Sequence, residues 1–209
     1  MSTNISEQNR LNSNGSNIIS FLFTLSQNHK NRYKSLERDL ERCVGTLTSI
    51  STPADPNEIG KLKLKFFDQN DTGYWAEEVS EGVLYFLAVL CIIHQPDPPK
   101  LLLLEEPEKG IHPRRIKEVM EFIFELAELR DIQIIITSHS PYVVDHFTDT
   151  PENISVFDRE NGETVIRNAL YDIIEPANAR NAEKNLPPIH YTDALGEHWV
   201  SGFLGGVPL

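Results

Sequence analysis

Two adjacent carboxylates, a histidine and a serine-glycine pair are the residues of this 209-residue chain whose order and spacing suggest chemistry. The carboxylates stand in Leu101-Leu102-Leu103-Leu104-Glu105-Glu106-Pro107-Glu108, directly after an all-apolar run. A buried parallel strand ending there would put Glu105 and Glu106 where open α/β sheets hold their ligands. Successive side chains of a strand point to opposite sides, so the two would serve different targets. One can hold Mg2+, directly or through water, while the other accepts a proton from an attacking water. The same residues also read as a solvated acidic loop, although adjacent carboxylates at a buried strand end repel and need a reason to be there.

His139 follows a second apolar run in Ile134-Ile135-Ile136-Thr137-Ser138-His139-Ser140-Pro141. A histidine just past a neighbouring strand can bond a phosphate oxygen and help to fix the attacking water. It can equally be satisfied by its own loop backbone. Ser80-Glu81-Gly82 opens a long apolar segment. A helix start there offers free N–H groups, a positive dipole end, a hydroxyl and a glycine that permits close approach, which together make an anion site. Its plainer reading is an N-cap, with Ser80 capping and Glu81 in the first turn.

Other candidates are weaker. Glu108 and His112 are four apart and could pair on a metal, but Pro113 starts the helix after them. Asp193, Glu197 and His198 suggest a nuclease site, yet the set of acids is incomplete and a solvated helix face explains them as well. Arg114 and Arg115 read as surface charges at a helix start.

The elements that must position these residues follow from periodicity. Ile18 to Leu25 and Asn31 to Leu47 have helical spacing, ending before Ser51, Thr52, Pro53 and Pro56. Lys61 to Phe66 alternates lysine with apolar residues, as a half-buried strand with its lysines in water; Tyr74 to Val79 is its expected partner after the turn Asp68 to Gly73. From Val83 to Ile93 the chain is apolar on nearly all sides, as in a buried helix. Leu101 to Leu104 and Ile132 to Thr137 read as strands buried on both faces. Between them, Pro113 to Arg130 carries one apolar stripe that includes Ile116, Val119, Met120, Ile123 and Phe124. The expected unit is a strand, helix, strand crossover in a parallel sheet. A short helix from Tyr142 to Phe147, a hairpin of Ile154 to Asp158 with Thr164 to Ala169, and a looped tail after Glu175 with one short helix near His190 to Trp199 complete the chain.

Composition limits the function class. The chain carries 31 acidic and 19 basic side chains, for a net charge of −12, and two cysteines. A disulfide scaffold is excluded, and the cysteine count suits a reducing compartment. Residues 71–209 hold 24 acidic against ten basic side chains, so any contact with a phosphate backbone must come from a local patch or another chain. The apolar run Val83 to Ile93 is too short for the roughly 20 residues a bilayer requires, and the polar start is no secretory signal. No membrane association and a cytoplasmic location are expected.

Taken in series, these motifs resemble the second half of an ABC-type ATPase head, closest to the stand-alone AAA ATPases grouped with SMC, RecF and OLD proteins. In that resemblance Ser80, Glu81 and Gly82 match the signature motif, Glu105 the Walker B acid and Glu106 the catalytic glutamate. Lys109, Gly110, Ile111 and His112 match the D-loop region, and His139 the switch histidine. Asn14-Gly15-Ser16-Asn17 and Gly196 to Pro208 also look like this family. The resemblance implies an α/β P-loop NTPase partial fold with a largely parallel core sheet, flanking helices and a small antiparallel hairpin. Residues 1–79 would be a helical and β-strand region, 80–175 the ATPase core and 176–209 a C-terminal tail. It implies ATP and Mg2+ as cofactors, with Mg2+ at Glu105, and a homodimer or an N-terminal ATPase lobe as partner; DNA enters by the resemblance alone.

Two departures matter. Glu105 stands where aspartate is common, and no G-x-x-x-x-G-K-[ST] occurs; Gly60-Lys61 and Lys109-Gly110 lack the preceding glycine and the following hydroxyl. Met1 is therefore expected to open in the middle of a complete ATPase, and the chain by itself to be inactive. The strand Ile132 to Thr137 should then have a bare apolar edge, and the chain should self-associate or be poorly soluble. The alternatives are a non-catalytic interaction module with the same fold and a metal-dependent nuclease using Glu105, Glu106 and Glu108.

Overall fold

The computed structural model describes residues 2–4, 7–189, 191 and 194–206. They form two compact units, Met1–Ile111 with Phe122–Thr137, and His112–Glu121 with Ser138–Leu209.

In the first unit a short strand, β1 (Ser2–Asn4), precedes helices α1 (Ile18–Asn28) and α2 (Lys30–Val44). The helical spacing becomes core: α1 buries Phe21, Leu22 and Leu25, and α2 buries Leu36, Leu40 and Cys43. Gly45 stops α2 in a left-handed conformation (φ 74°), giving its N–H to the Glu41 carbonyl. The expected helix through Leu47 therefore ends early. Leu47 to Ser51 is instead a strand, β2 (Leu47–Ser51), in keeping with its β-branched Thr48 and Ile50.

The period-two run keeps its alternation, with Leu62, Leu64 and Phe66 buried, but it divides between two sheets. β3 (Lys61–Lys63) pairs with β1, whereas β4 (Lys65–Asp68) lies between β2 and β5 (Gly73–Trp75) in an antiparallel sheet. A 3₁₀ turn, Ala76–Glu78, replaces the second half of the expected partner strand. Two of the lysines do not simply face water. The ammonium groups of Lys63 and Lys65 lie 4.8 and 5.0 Å from the centroid of the Trp75 ring.

Helix α3 (Glu81–His94) begins after Ser80 and buries Phe86, Leu87, Val89, Leu90, Cys91 and Ile93. At its far end His94 Nε2 is 2.7 Å from Asp39 Oδ2 of α2, and both side chains are buried. His94 Nδ1 has no hydrogen-bond partner among the described residues. Deleting either member would strand a buried polar group, at about 1–3 kcal/mol.

The crossover is present. β6 (Leu101–Glu105) and β7 (Gln133–Thr137) are parallel, in a register from Leu101↔Gln133 to Glu105↔Thr137, and α4 (Pro113–Leu129) connects them. Burial on both faces is not. Leu102 and Leu104 are buried, but Leu101, Leu103 and Ile135 are 47%, 67% and 51% exposed. An all-apolar run suits a strand covered on both sides, and here one face of the pair is open to water. Among the described residues the sheet has only these two strands, so β7 keeps a bare outer edge. On α4 the buried stripe includes Phe122 in place of the half-buried Phe124. Arg42 stacks 4.6 Å over the Phe122 ring and pairs with Glu125 at 2.9 Å.

In the second unit α5 (Pro141–His146) leads to a hairpin of β8 (Ser155–Glu160) and β9 (Glu163–Asn168). Its two-residue turn, Asn161-Gly162, has positive φ at both positions (50° and 89°), as a hairpin with right-handed strand twist favours. A π-helical turn, Ala169–Ile174, continues into α6 (Glu175–Glu183), and α7 (Leu195–Val200) follows. Of the described residues after Glu175, expected to be loops with one short helix near His190 to Trp199, α7 is that helix and α6 is an addition. These residues are also core: Leu195 and Leu204 are buried with Val156, Ala169 and Ile174. His190 and Asp193 lie outside the described residues. Among the described residues no helix is long and apolar enough to cross a membrane.

Candidate functional site

The first unit assembles most of the candidate chemistry around the end of β6. Glu105 is the last strand residue, opposite Thr137, and its side chain continues the open face of Leu101 and Leu103. The Glu106 N–H still donates to the Thr137 carbonyl at 2.8 Å. Glu106 then turns to φ 45°, a left-handed conformation uncommon for a side-chain-bearing residue, which takes the chain out of the sheet. Glu105 is exposed and Glu106 half-buried. The following turn is closed by Lys109 N–H donating to the Glu106 carbonyl (2.9 Å) and Ile111 N–H to the Glu108 carbonyl (3.0 Å). The Lys109 ammonium sits 3.5 Å from the Glu106 carboxylate.

Ser80 caps α3, with its Oγ accepting the Val83 N–H at 3.4 Å. The plain cap is therefore present, whatever else the motif does. Gly82 is buried against Gly110, close enough that a Cβ on Gly82 would stand 2.7 Å from the Gly110 carbonyl oxygen. Gly110 itself has φ 79°, where a side chain would be strained. The structure thus brings Gly82, the last residue of the Ser80–Gly82 segment, into contact with Gly110.

Tyr85 joins this group and was missed by sequence reasoning. Its hydroxyl lies 3.4 Å from the Glu105 carbonyl oxygen, as donor. Burial, and then the Glu108 and Glu105 carboxylates, raise its phenol above the ordinary range. The available signal was a hydroxyl-bearing residue in an otherwise apolar helix, three positions after Gly82.

The second unit holds the remaining candidates. His112 is exposed, and its Nδ1 accepts the Arg114 N–H at 3.3 Å, so it caps the start of α4. His139 is exposed, two residues beyond Thr137, in a loop where Ser140 N–H donates to Ser138 Oγ at 3.0 Å. Pro141 opens α5 directly afterwards. Helix α7 is seated on that start: Gly196 N–H donates to Asp145 Oδ1 at 2.7 Å, and a Cβ on Gly196 would stand 2.3 Å from the Pro141 carbonyl oxygen.

The donor set fits one kind of Mg2+ site. Mg2+ commonly takes one or two carboxylates, several waters and substrate phosphate oxygens, for which an exposed Glu105 at a strand end is suitable. Among the described residues no three His, Cys, Asp or Glu side chains converge as a metal cage.

The family model described as AAA domain, putative AbiEii toxin, Type IV TA system matches residues 3–145, well over half of the chain. The chain belongs to this AAA family. Solved structures agree on the fold. An SMC ATPase described for ATP-driven dimerization and DNA-stimulated activation superposes with a TM-score of 0.54 at 11% identity, over 77% of this chain and 97% of that one. An Smc head bound to the C-terminal winged-helix domain of ScpA gives 0.51 at 15% identity, over 71% of this chain and 44% of that one. An Smc head with coiled coil and joint from Pyrococcus yayanosii gives 0.50 at 16% identity, over 83% of this chain and 34% of that one. At such identities the likeness is one of fold. No curated protein matches the chain. Family and fold together indicate an ATPase-type, nucleotide-using domain, in line with the ABC-type resemblance of the sequence.

Proposed function

We propose that this AAA domain forms the C-terminal part of an ABC-type ATPase head and works with a P-loop lobe in a head-to-tail dimer. Glu106 acts as general base for the attacking water, and Glu105 helps to hold Mg2+. His139 contacts the γ-phosphate, while Ser80, Glu81 and Gly82 close over the nucleotide of the opposite subunit. Lys109 to His112 line the same interface. The single observation that carries this reading is the environment of the two glutamates. They are adjacent in sequence, yet Glu105 stays on the open sheet face while Glu106 turns out, half-buried, into a loop that touches the Ser80–Gly82 segment.

One fact favours a second reading, a non-catalytic module of the same fold: the chain has no phosphate-cradling G-x-x-x-x-G-K-[ST]. DNA is a partner in this proposal only through the family, and the acidic half of the chain makes a broad duplex-binding face unsuitable. The test of the catalytic role is Glu106→Gln in a complete assembly. Turnover should fall by about 10²- to 10⁴-fold, the contribution of a positioned base, while ATP-driven dimers persist. Unchanged turnover would remove Glu106 from that role.

A further inference from the structure

We propose that the start of α3 is latched to the loop Glu106–Ile111 of the same chain, and that Tyr85 is a positioning residue for Glu106 through the Glu105 carbonyl. The roles of Glu106 and of Ser80–Gly82 rest on the function proposed above; the latch itself does not.

Two independent contacts define it. At Gly82 and Gly110, backbone meets backbone with no room for a methyl group. One turn further along α3, the Tyr85 hydroxyl meets the last carbonyl of β6 at 3.4 Å. These contacts bracket the peptide that launches Glu106 at φ 45° and the glycine that closes its turn at φ 79°. A left-handed non-glycine residue persists only where its surroundings over-determine it. The Thr137 carbonyl, the Lys109 N–H and the Lys109 ammonium supply part of that constraint, and Tyr85 supplies a tether from outside the loop.

The latch gives Gly82 a purpose within its own chain. In the family resemblance this glycine allows close approach to a nucleotide on the opposite subunit. Here it also seats the loop that carries the general base. Whatever holds the first turn of α3 in place therefore holds Glu106 too, so closure at Ser80–Gly82 and alignment of Glu106 become one event.

The test uses the chain by itself, without nucleotide, so its failure is distinguishable from failure of the ATPase reading. Amide hydrogen exchange is followed at Glu106, Lys109 and Ile111 in the parent, in Tyr85→Phe and in Gly82→Ala. Tyr85→Phe keeps the ring and removes the hydroxyl, and it should speed exchange at these three amides about tenfold, the effect of one lost hydrogen bond. Amides of α4 and of β8 should not change, and the melting temperature should barely move. Gly82→Ala should speed the same amides more; if it fails to fold, Tyr85→Phe still decides. A spectroscopic check follows the backbone carbonyl carbon resonance of Glu105, the acceptor of the Tyr85 hydroxyl, which should shift in Tyr85→Phe while that of Leu103 does not. Parent-like exchange at all three amides in Tyr85→Phe, or an unmoved Glu105 carbonyl resonance, overturns the latch.

Discussion

The loop after β6 and the loop after β7 start from Glu105 and Thr137, a facing pair in one parallel sheet, yet they are secured from opposite directions along the chain. The Glu106 loop is held by α3, which precedes it, through Gly82 against Gly110 and Tyr85 against Glu105. The His139 loop runs into α5, which is held by α7 near the C-terminal end, through Gly196 against Pro141 and Asp145. Two groups proposed to serve one nucleotide therefore depend on different parts of the chain for their geometry. Local stability can be lost in one without the other, because proteins open in separate cooperative units.

The sharpest way to break this comparison is at Gly196. A methyl group there would meet backbone, not the end of a flexible side chain. Gly196→Ala should cost at least about 1–3 kcal/mol, the usual penalty of overpacking. Hydrogen exchange should show protection lost in α5 and α7 and retained in α3. Equal loss in both regions would mean that the two loops are not independently secured.

A second, intermediate effect concerns the open face of β6 and β7. Leu103→Lys with Ile135→Lys should abolish concentration-dependent association in light scattering, with a stability change within about 0.5 kcal/mol because both sites are exposed. A parent chain that is already a concentration-independent monomer would contradict this.

The smallest effect is a pH dependence confined to the second unit. Burial lowers the His146 imidazole below its ordinary value, partly opposed by the Glu121 carboxylate and reinforced by Lys117. The unfolded chain then binds a proton that the folded chain resists. Stability should decline as pH falls through about 6.5, the ordinary histidine value, and should be independent of this group above it. His146→Gln should flatten that part of a melting-temperature profile; an unchanged slope would assign the dependence elsewhere.

How legible the molecule was in its sequence varies with range. The apolar spacing of α1 to α4 and the turn chemistry of Asn161-Gly162 are local signals, and these elements lie close to where they were expected. The runs Leu101 to Leu104 and Ile132 to Thr137 identified strands, but an all-apolar run cannot say which face is left uncovered. Helix α6 was hidden because EPANARNAE buries only Ala177 and so has no apolar stripe. Glu105, Glu106 and His139 could be singled out from position alone. The left-handed turn at Glu106 could not, since Pro107 favours an extended residue before it. The contacts of Gly82 with Gly110 and of Gly196 with Pro141 join residues far apart in sequence, and nothing in either segment names its partner.

The most direct test of the central claim is Mg2+-dependent ATP binding by titration calorimetry, with the chain alone and with a P-loop lobe added as a separate polypeptide. Little or no heat is expected from the chain alone, and saturable binding once the lobe is present. Absence of binding in both arms, with complex formation between chain and lobe verified, would contradict it and leave a non-catalytic module of the same fold.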